Sequence, residues 1–240
     1  MTPFDNIESE VAAMLAKITP MTPEQARERD FKTFILPVLL EAGFDKRACK
    51  DDLLNSGMDS RNHAQRKAAR ECLDFLKDTG AAVALVGPRG TGKTSIAAQI
   101  VQKWAWADHL GYMAGKGVGR RRMVIYEKTT GLVSKMKAMY ADFGTIEMDR
   151  MERRLNALVK AELLILDELH EVSEDSKHKD RILTDIVDRR YAAQRDTILI
   201  SNQTSKEFKA TINPSIMSRM QEHGGVIPCE WASFREQIAV

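Results

Sequence analysis

Cysteine is scarce in this chain of 240 residues. Cys49, Cys72 and Cys229 are odd in number and far apart, with no C-x-x-C pair. That argues against a disulfide framework or a zinc site and fits a reducing cytosol. Charge of one sign is also missing: the net charge is +2, so only local patches could attract nucleic acid. No apolar run is long enough to span a bilayer. The start, Met-Thr-Pro-Phe-Asp-Asn, has neither a basic head nor a secretory apolar core. A soluble, cytoplasmic protein without a membrane partner is expected. There is no internal repeat and no low-complexity tract.

What is present is a phosphate-binding loop. Residues Gly87 to Thr94 read G-P-R-G-T-G-K-T. The apolar run Ala81 to Val86 precedes the loop, and a helix-favouring run, Ser95 to Trp106, follows it. Strand, glycine loop and helix start make an anion cradle, because the glycines let backbone N–H groups turn toward a polyphosphate. Gly87, Pro88, Arg89, Gly90, Thr91, Gly92, Lys93, Thr94 and Ser95 are the expected ATP contacts. Lys93 would reach the β- and γ-phosphates, and Thr94 would hold Mg²⁺.

Downstream, alternating segments predict a parallel sheet covered on both faces. Arg61 to Lys77 reads as an amphipathic helix and Arg122 to Tyr126 as a second strand. Helices follow at Thr129 to Tyr140 and Met148 to Lys160. Leu163-Leu-Ile-Leu166 is a buried strand by composition. His178 to Ala193 is a helix, and Thr197 to Ser201 a further strand. The Leu163 to Leu166 strand ends in Asp167 and Glu168, at the edge where open α/β sheets bind ligands. Asp167 would orient the metal shell with Thr94; Glu168 would activate the attacking water. An apolar strand ending in Asp-Glu is weak alone and gains force downstream of a phosphate loop. Asn202 ends the next strand and could hydrogen-bond water or γ-phosphate; its plain alternative is a turn-forming Asn. Arg219 comes too late in the chain to bend easily into its own site, so it could serve a neighbour's phosphate. A solvated helix arginine is its plain alternative.

Residues 1 to 57 read as a small helical region. Ile7, Val11, Met14, Leu15 and Ile18 recur at helical spacing. Thr22-Pro-Glu-Gln25 carries a helix-start signature. The helix that follows could run through Phe31, Phe34, Ile35, Val38 and Leu39 unless Pro37 kinks it, with Gly43 as its stop. Asn55-Ser-Gly57 marks a connector. Two short helices bury little alone, and partner binding is preferred here over packing on the main body. The basic stretch with Lys116, Arg120, Arg121 and Arg122, followed by Lys135 and Lys137, could track a phosphate backbone. A solvated hairpin is the alternative.

In order, the phosphate loop, R-M-V-I-Y (Arg122 to Tyr126), L-L-I-L-D-E, I-V-D-R-R-Y (Ile186 to Tyr191), T-I-L-I-S-N and S-R-M (Ser218 to Met220) resemble the AAA+ ATPases of the DnaC/IstB group. That group comprises bacterial replicative-helicase loaders and the ATPase subunits of certain transposons. The ending Trp231-Ala-Ser-Phe-Arg235 is similar to the W-x-S-Y-R ending of the DnaC branch, with Phe for Tyr. The likeness covers roughly residues 60 to 236 and implies a P-loop NTPase (AAA+) three-layer α/β fold over 58–240. It implies ATP hydrolysis with Mg²⁺, a sensor role for Asn202 and an arginine-finger role for Arg219. It also implies self-association through the ATP interface, a replicative helicase or transposase partner, and DNA binding, single-stranded for a loader. Arg89 departs from the Pro or small residue of many members. A small-molecule kinase would also carry a phosphate loop, but not Asp-Glu with an S-R-M box. The compact size and divergent N-terminus would suit a phage or prophage replication protein, in the cytoplasm of a bacterial or phage-infected cell.

Overall fold

The computed structural model describes residues 21–49, 60–115, 122–134, 145–169 and 176–234. Ile7 to Ile18, the Asn55 connector, Lys116, Arg120, Arg121, Lys135 and Lys137 lie outside them.

Five parallel strands form one sheet: β1 (Ala82–Val86), β2 (Val124–Lys128), β3 (Leu163–Asp167), β4 (Asp196–Ser201) and β5 (Gly224–Pro228). Their spatial order is β2-β3-β4-β1-β5. Side chains alternate along each strand, and the alternation sorts the core into two layers. Val83, Leu85, Leu163, Ile165, Ile198 and Ile200 face one way; Ala82, Ala84, Val86, Leu164, Leu166 and Leu199 face the other. The first layer is closed by α2 (Leu36–Ala42), α3 (Ser60–Phe75) and α4 (Lys93–Met113). The second is closed by α5 (Thr145–Lys160), α6 (Ser176–Ala192), α7 (Ser205–Thr211) and α8 (Pro214–Glu222). This is the expected three-layer arrangement.

The N-terminal helices begin as expected and end in the core. Helix α1 (Pro23–Asp30) opens with a capping box between Thr22 and Gln25. A π turn, Phe31–Ile35, joins it to α2. The kink expected at Pro37 thus appears as a widened turn just ahead of it. Pro37 has no N–H for the Thr33 carbonyl, and its ring crowds that oxygen. Gly43, at φ 109°, ends α2 in the left-handed region. Ile35, Leu39, Ala42 and Phe44 are buried in the same layer as Ile96 and Ile100 of α4.

Several boundaries move. β2 starts two residues later than R-M-V-I-Y suggested and runs to Lys128. Helix α4 extends to Met113. Strand β5 was not expected: Gly224, Gly225 and Pro228 read as turn residues. At Gly224 a Cβ would lie 1.9 Å from the Ala82 carbonyl oxygen, so only glycine lets this strand pair so closely with β1.

Candidate functional site

The phosphate loop joins β1 to α4 and is shaped by three glycines at positive φ: Gly87 (145°), Gly90 (86°) and Gly92 (82°). A Cβ on Gly87 would meet the Cys229 carbonyl oxygen at 2.4 Å, so this tight passage requires glycine. Gly92 is the left-handed N-cap of α4 and brings no side-chain cap. The first N–H groups of α4 are therefore left for an anion, beside the positive end of the helix. Lys93, the first residue of α4, is buried, and its ammonium donates to the carbonyls of Gly87 and Pro88, both at 2.7 Å. Arg89 points to the exposed side of the loop.

Asp167 closes β3 and gathers the second half of the site. Its Oδ2 accepts from the Thr94 hydroxyl at 2.8 Å and from the Tyr126 hydroxyl at 2.8 Å. Its Oδ1 accepts from the Glu168 N–H at 2.7 Å, and its backbone carbonyl from Thr129 Oγ1 at 2.8 Å. Burial, followed by the neighbouring Asp167 carboxylate, pushes the Tyr126 hydroxyl well above the usual phenol range. Tyr126 thus stays a donor. Lys93, Thr94 and Asp167 are side by side at the carboxyl edge of the sheet, the ligand edge of open α/β folds.

Glu168 follows in a left-handed conformation, φ 62°. This turns its side chain out of the strand direction. Its carboxylate takes the Lys128 ammonium at 2.7 Å and the Thr130 hydroxyl at 3.4 Å. The next N–H, of Leu169, donates to the Ile200 carbonyl at 3.2 Å, which ties this turn to β4. Ser201 pairs with Val86, so Asn202 leaves the sheet between the phosphate loop on one side and Asp167 on the other.

Arg219 lies elsewhere. Its α8 leads into β5, and Gly224 pairs with Ala82 at the start of β1, whereas Pro228 pairs with Val86 at its loop end. Arg219 is within about a helical turn of the start edge, opposite the phosphate loop. There its guanidinium lies 4.3 Å over the Tyr191 ring and its Nε is 3.5 Å from Asp188. Asp188 also accepts from the Ser215 hydroxyl at 3.0 Å. Arg122, too, is at the start edge: it stacks over Trp104 at 4.5 Å and is 3.9 Å from Asp78.

Four contributors were not assigned to this site from sequence, which reads Lys128 only as part of the basic stretch. Tyr126, Lys128, Thr129 and Thr130 bind the Asp167-Glu168 pair. Tyr126 and Lys128 lie in the second half of β2 and Thr129 and Thr130 directly follow it, and the register of β2 against β3 could have drawn attention to them.

The family model described as IstB-like ATP binding protein matches residues 55–239, more than half the chain. The chain belongs to the IstB-like ATP-binding protein family. Among curated relatives of this IstB-like chain, the replicative helicase loader DnaC of Escherichia coli K12 is 27% identical over 171 residues. The match covers 71% of the chain and 62% of DnaC. Among solved structures, the DnaC helicase loader superposes with a TM-score of 0.55 at 17% identity, covering 77% of the chain and 99% of that structure. The replication initiator DnaA, solved with AMPPCP and single-stranded DNA, gives 0.51 at 20% identity, covering 75% and 50%. The IstB-like chain therefore has the AAA+ P-loop ATPase fold. Among the described residues, no helix is long and apolar enough to cross a membrane.

Proposed function

We propose that this IstB-like protein is an ATP-driven loader that delivers a replicative helicase to single-stranded DNA. The observation that carries the ATPase half is the 2.8 Å contact between Thr94 and Asp167, next to Lys93 and Glu168. A hydroxyl and a carboxylate in contact, below an open helix start, are a donor set that fits a hydrated Mg²⁺ accompanying a triphosphate. Thr94 and Asp167 would hold the ion, and Lys93 would leave its loop carbonyls for the β- and γ-oxygens. Bound there, Mg²⁺ would neutralise charge on the phosphates. Glu168 would accept the proton of the attacking water, and Asn202 would orient that water. Arg219, facing away from its own site, would reach the γ-phosphate of an adjacent subunit.

The loader half rests on the likeness to DnaC, and residues 1 to 57 are its proposed helicase-binding region, through surfaces other than the Ile35, Leu39, Ala42 and Phe44 side chains packed in the core. Lys116, Arg120, Arg121, Arg122, Lys135 and Lys137 are the proposed DNA contacts. Arg122 would first have to leave Trp104 and Asp78. The second reading, a transposition ATPase that recruits a transposase on duplex DNA, is favoured by the IstB-like family match. Steady-state ATPase measurements on the full chain separate the two. Stimulation by single-stranded DNA or replicative helicase supports the loader, and stimulation by duplex DNA alone supports the transposition reading. No turnover with wild type, or unchanged turnover in Glu168→Gln, would overturn both.

A further inference from the structure

Backbone N–H groups that turn toward a phosphate turn their carbonyls away from it, and buried carbonyls need donors. In this loop the donors come from the chain's far end. The Phe234 N–H donates to the Gly90 carbonyl at 3.0 Å. The Trp231 indole Nε1–H donates to the Thr91 carbonyl at 2.9 Å, 140 residues away in sequence. The same carbonyl accepts from Gln65 Nε2 of α3 at 3.0 Å. Upstream, the Cys229 N–H donates to the Val86 carbonyl at 2.6 Å, and the Cys229 carbonyl flanks Gly87. The segment 229–234 thus lies along the outer side of the whole loop. Thr91 is fully buried and Gln65 nearly so, so water does not readily replace these bonds.

We infer that Trp231, with Gln65, is a positioning residue: the C-terminal segment braces the phosphate loop with its N–H groups already turned toward the triphosphate. The inference rests on the nucleotide reading above. The brace works as pre-organisation. Without it, the Thr91 carbonyl would compete for the loop's own donors, and part of the binding energy of the nucleotide would go into re-forming the cradle. The coupling is reciprocal. Nucleotide binding tightens the segment, and anything that pulls the segment away weakens nucleotide binding.

The test uses the full chain with Trp231→Phe, Gln65→Met and the double variant, and calorimetric MgATP titration. Trp231→Phe keeps an aromatic ring, smaller than the indole, and deletes the N–H; Gln65→Met keeps the length and deletes the amide. Each single variant leaves one donor on Thr91, so a loss of about threefold in MgATP affinity is expected. The double variant leaves none, and a loss of at least roughly tenfold is expected, more than additive. A spectroscopic readout separates positioning from simple packing. The chain has three tryptophans, and 5-fluorotryptophan labelling gives three ¹⁹F resonances, the Trp231 one being assigned by its absence in Trp231→Phe. On adding MgATP that resonance should shift while those of Trp104 and Trp106 stay. A double variant that binds MgATP within twofold of wild type, or an unmoved Trp231 resonance at saturation, would overturn the brace and leave the nucleotide site standing. If the double variant does not fold, the wild-type resonance decides. A wild type that takes up no MgATP overturns both.

Discussion

At the scale of single residues, the site is a set of charged groups held by partners they would have to exchange. Lys93 is on its own loop's carbonyls, and Glu168 is on Lys128. The second pairing has a direct consequence. The Lys128 ammonium occupies Oε1 of Glu168, an acceptor that an attacking water would have to win, so on the proposed reading the pair holds Glu168 back. Lys128 is more than half exposed, which limits the pair to under about 1 kcal/mol. Lys128→Ala should therefore raise basal ATP turnover by up to about fivefold with KM nearly unchanged. A fall in turnover would mean that Lys128 positions Glu168 productively. The cluster of Lys93, Thr94, Asp167 and Glu168 was legible in the sequence, because G-x-x-x-x-G-K-T and L-L-I-L-D-E each set these residues at fixed spacing. The partners were not. Tyr126 and Lys128 reach Asp167 and Glu168 only through the pairing of β2 with β3, and no local motif encodes that pairing.

At the scale of elements, one side chain fastens three of them. Arg190 of α6 is fully buried. It donates to the carbonyls of Leu158 and of Ala161 at the end of α5, to the Asp196 carbonyl, and to Thr197 Oγ1 at 2.9 Å. Burial pushes its guanidinium down to about 9, still charged at neutral pH. The Asp196 carboxylate in turn accepts from the N–H groups of Asp78, Thr79 and Ala81 ahead of β1. A lysine has three donors and no planar fork, so Arg190→Lys would leave at least one buried carbonyl unpaired. We expect a loss of roughly 3 kcal/mol, seen as a fall in Tm of about 6–12 °C. Calorimetric MgATP binding at low temperature should be unchanged, since Arg190 touches no residue of the phosphate loop. I-V-D-R-R-Y was readable only as part of a resemblance. The structure divides it: Asp188 and Tyr191 hold Arg219, while Arg190 holds the fold. The buried strands β1, β3 and β4 were legible because each is a continuous apolar run. β5 was hidden by its glycines, whose role is a close backbone approach that composition does not reveal. α7 went unread although Thr204 and Glu207 form a capping box, a signature that T-S-K-E carried in plain view.

At the scale of the whole molecule, the N-terminal segment and the far side of the sheet set what an assembly can do. Ile35, Leu39, Ala42 and Phe44 belong to the core, with Phe31 packed against it, so a truncation that tests partner binding has to stop before Phe31. The position of Arg219 bears on assembly more directly. It is at the start edge of β1 and β5, and the phosphate loop is at the other end of strands about 13 Å long. Its guanidinium is already oriented by Tyr191 and Asp188. A head-to-tail contact would bring that edge to the next subunit's open site. Mixing two inactive variants tests this. On the proposed reading, Arg219→Ala would keep its own site intact but offer its neighbour no cation, and Glu168→Gln would lack the base but still offer Arg219. Each alone should lose at least about 100-fold in turnover. In random mixed assemblies at equal ratio, about a quarter of interfaces would pair an intact site with an intact arginine. ATPase activity should then recover toward about a quarter of wild type on mixing, and an arginine acting within its own subunit would leave the mixture as inactive as its parts.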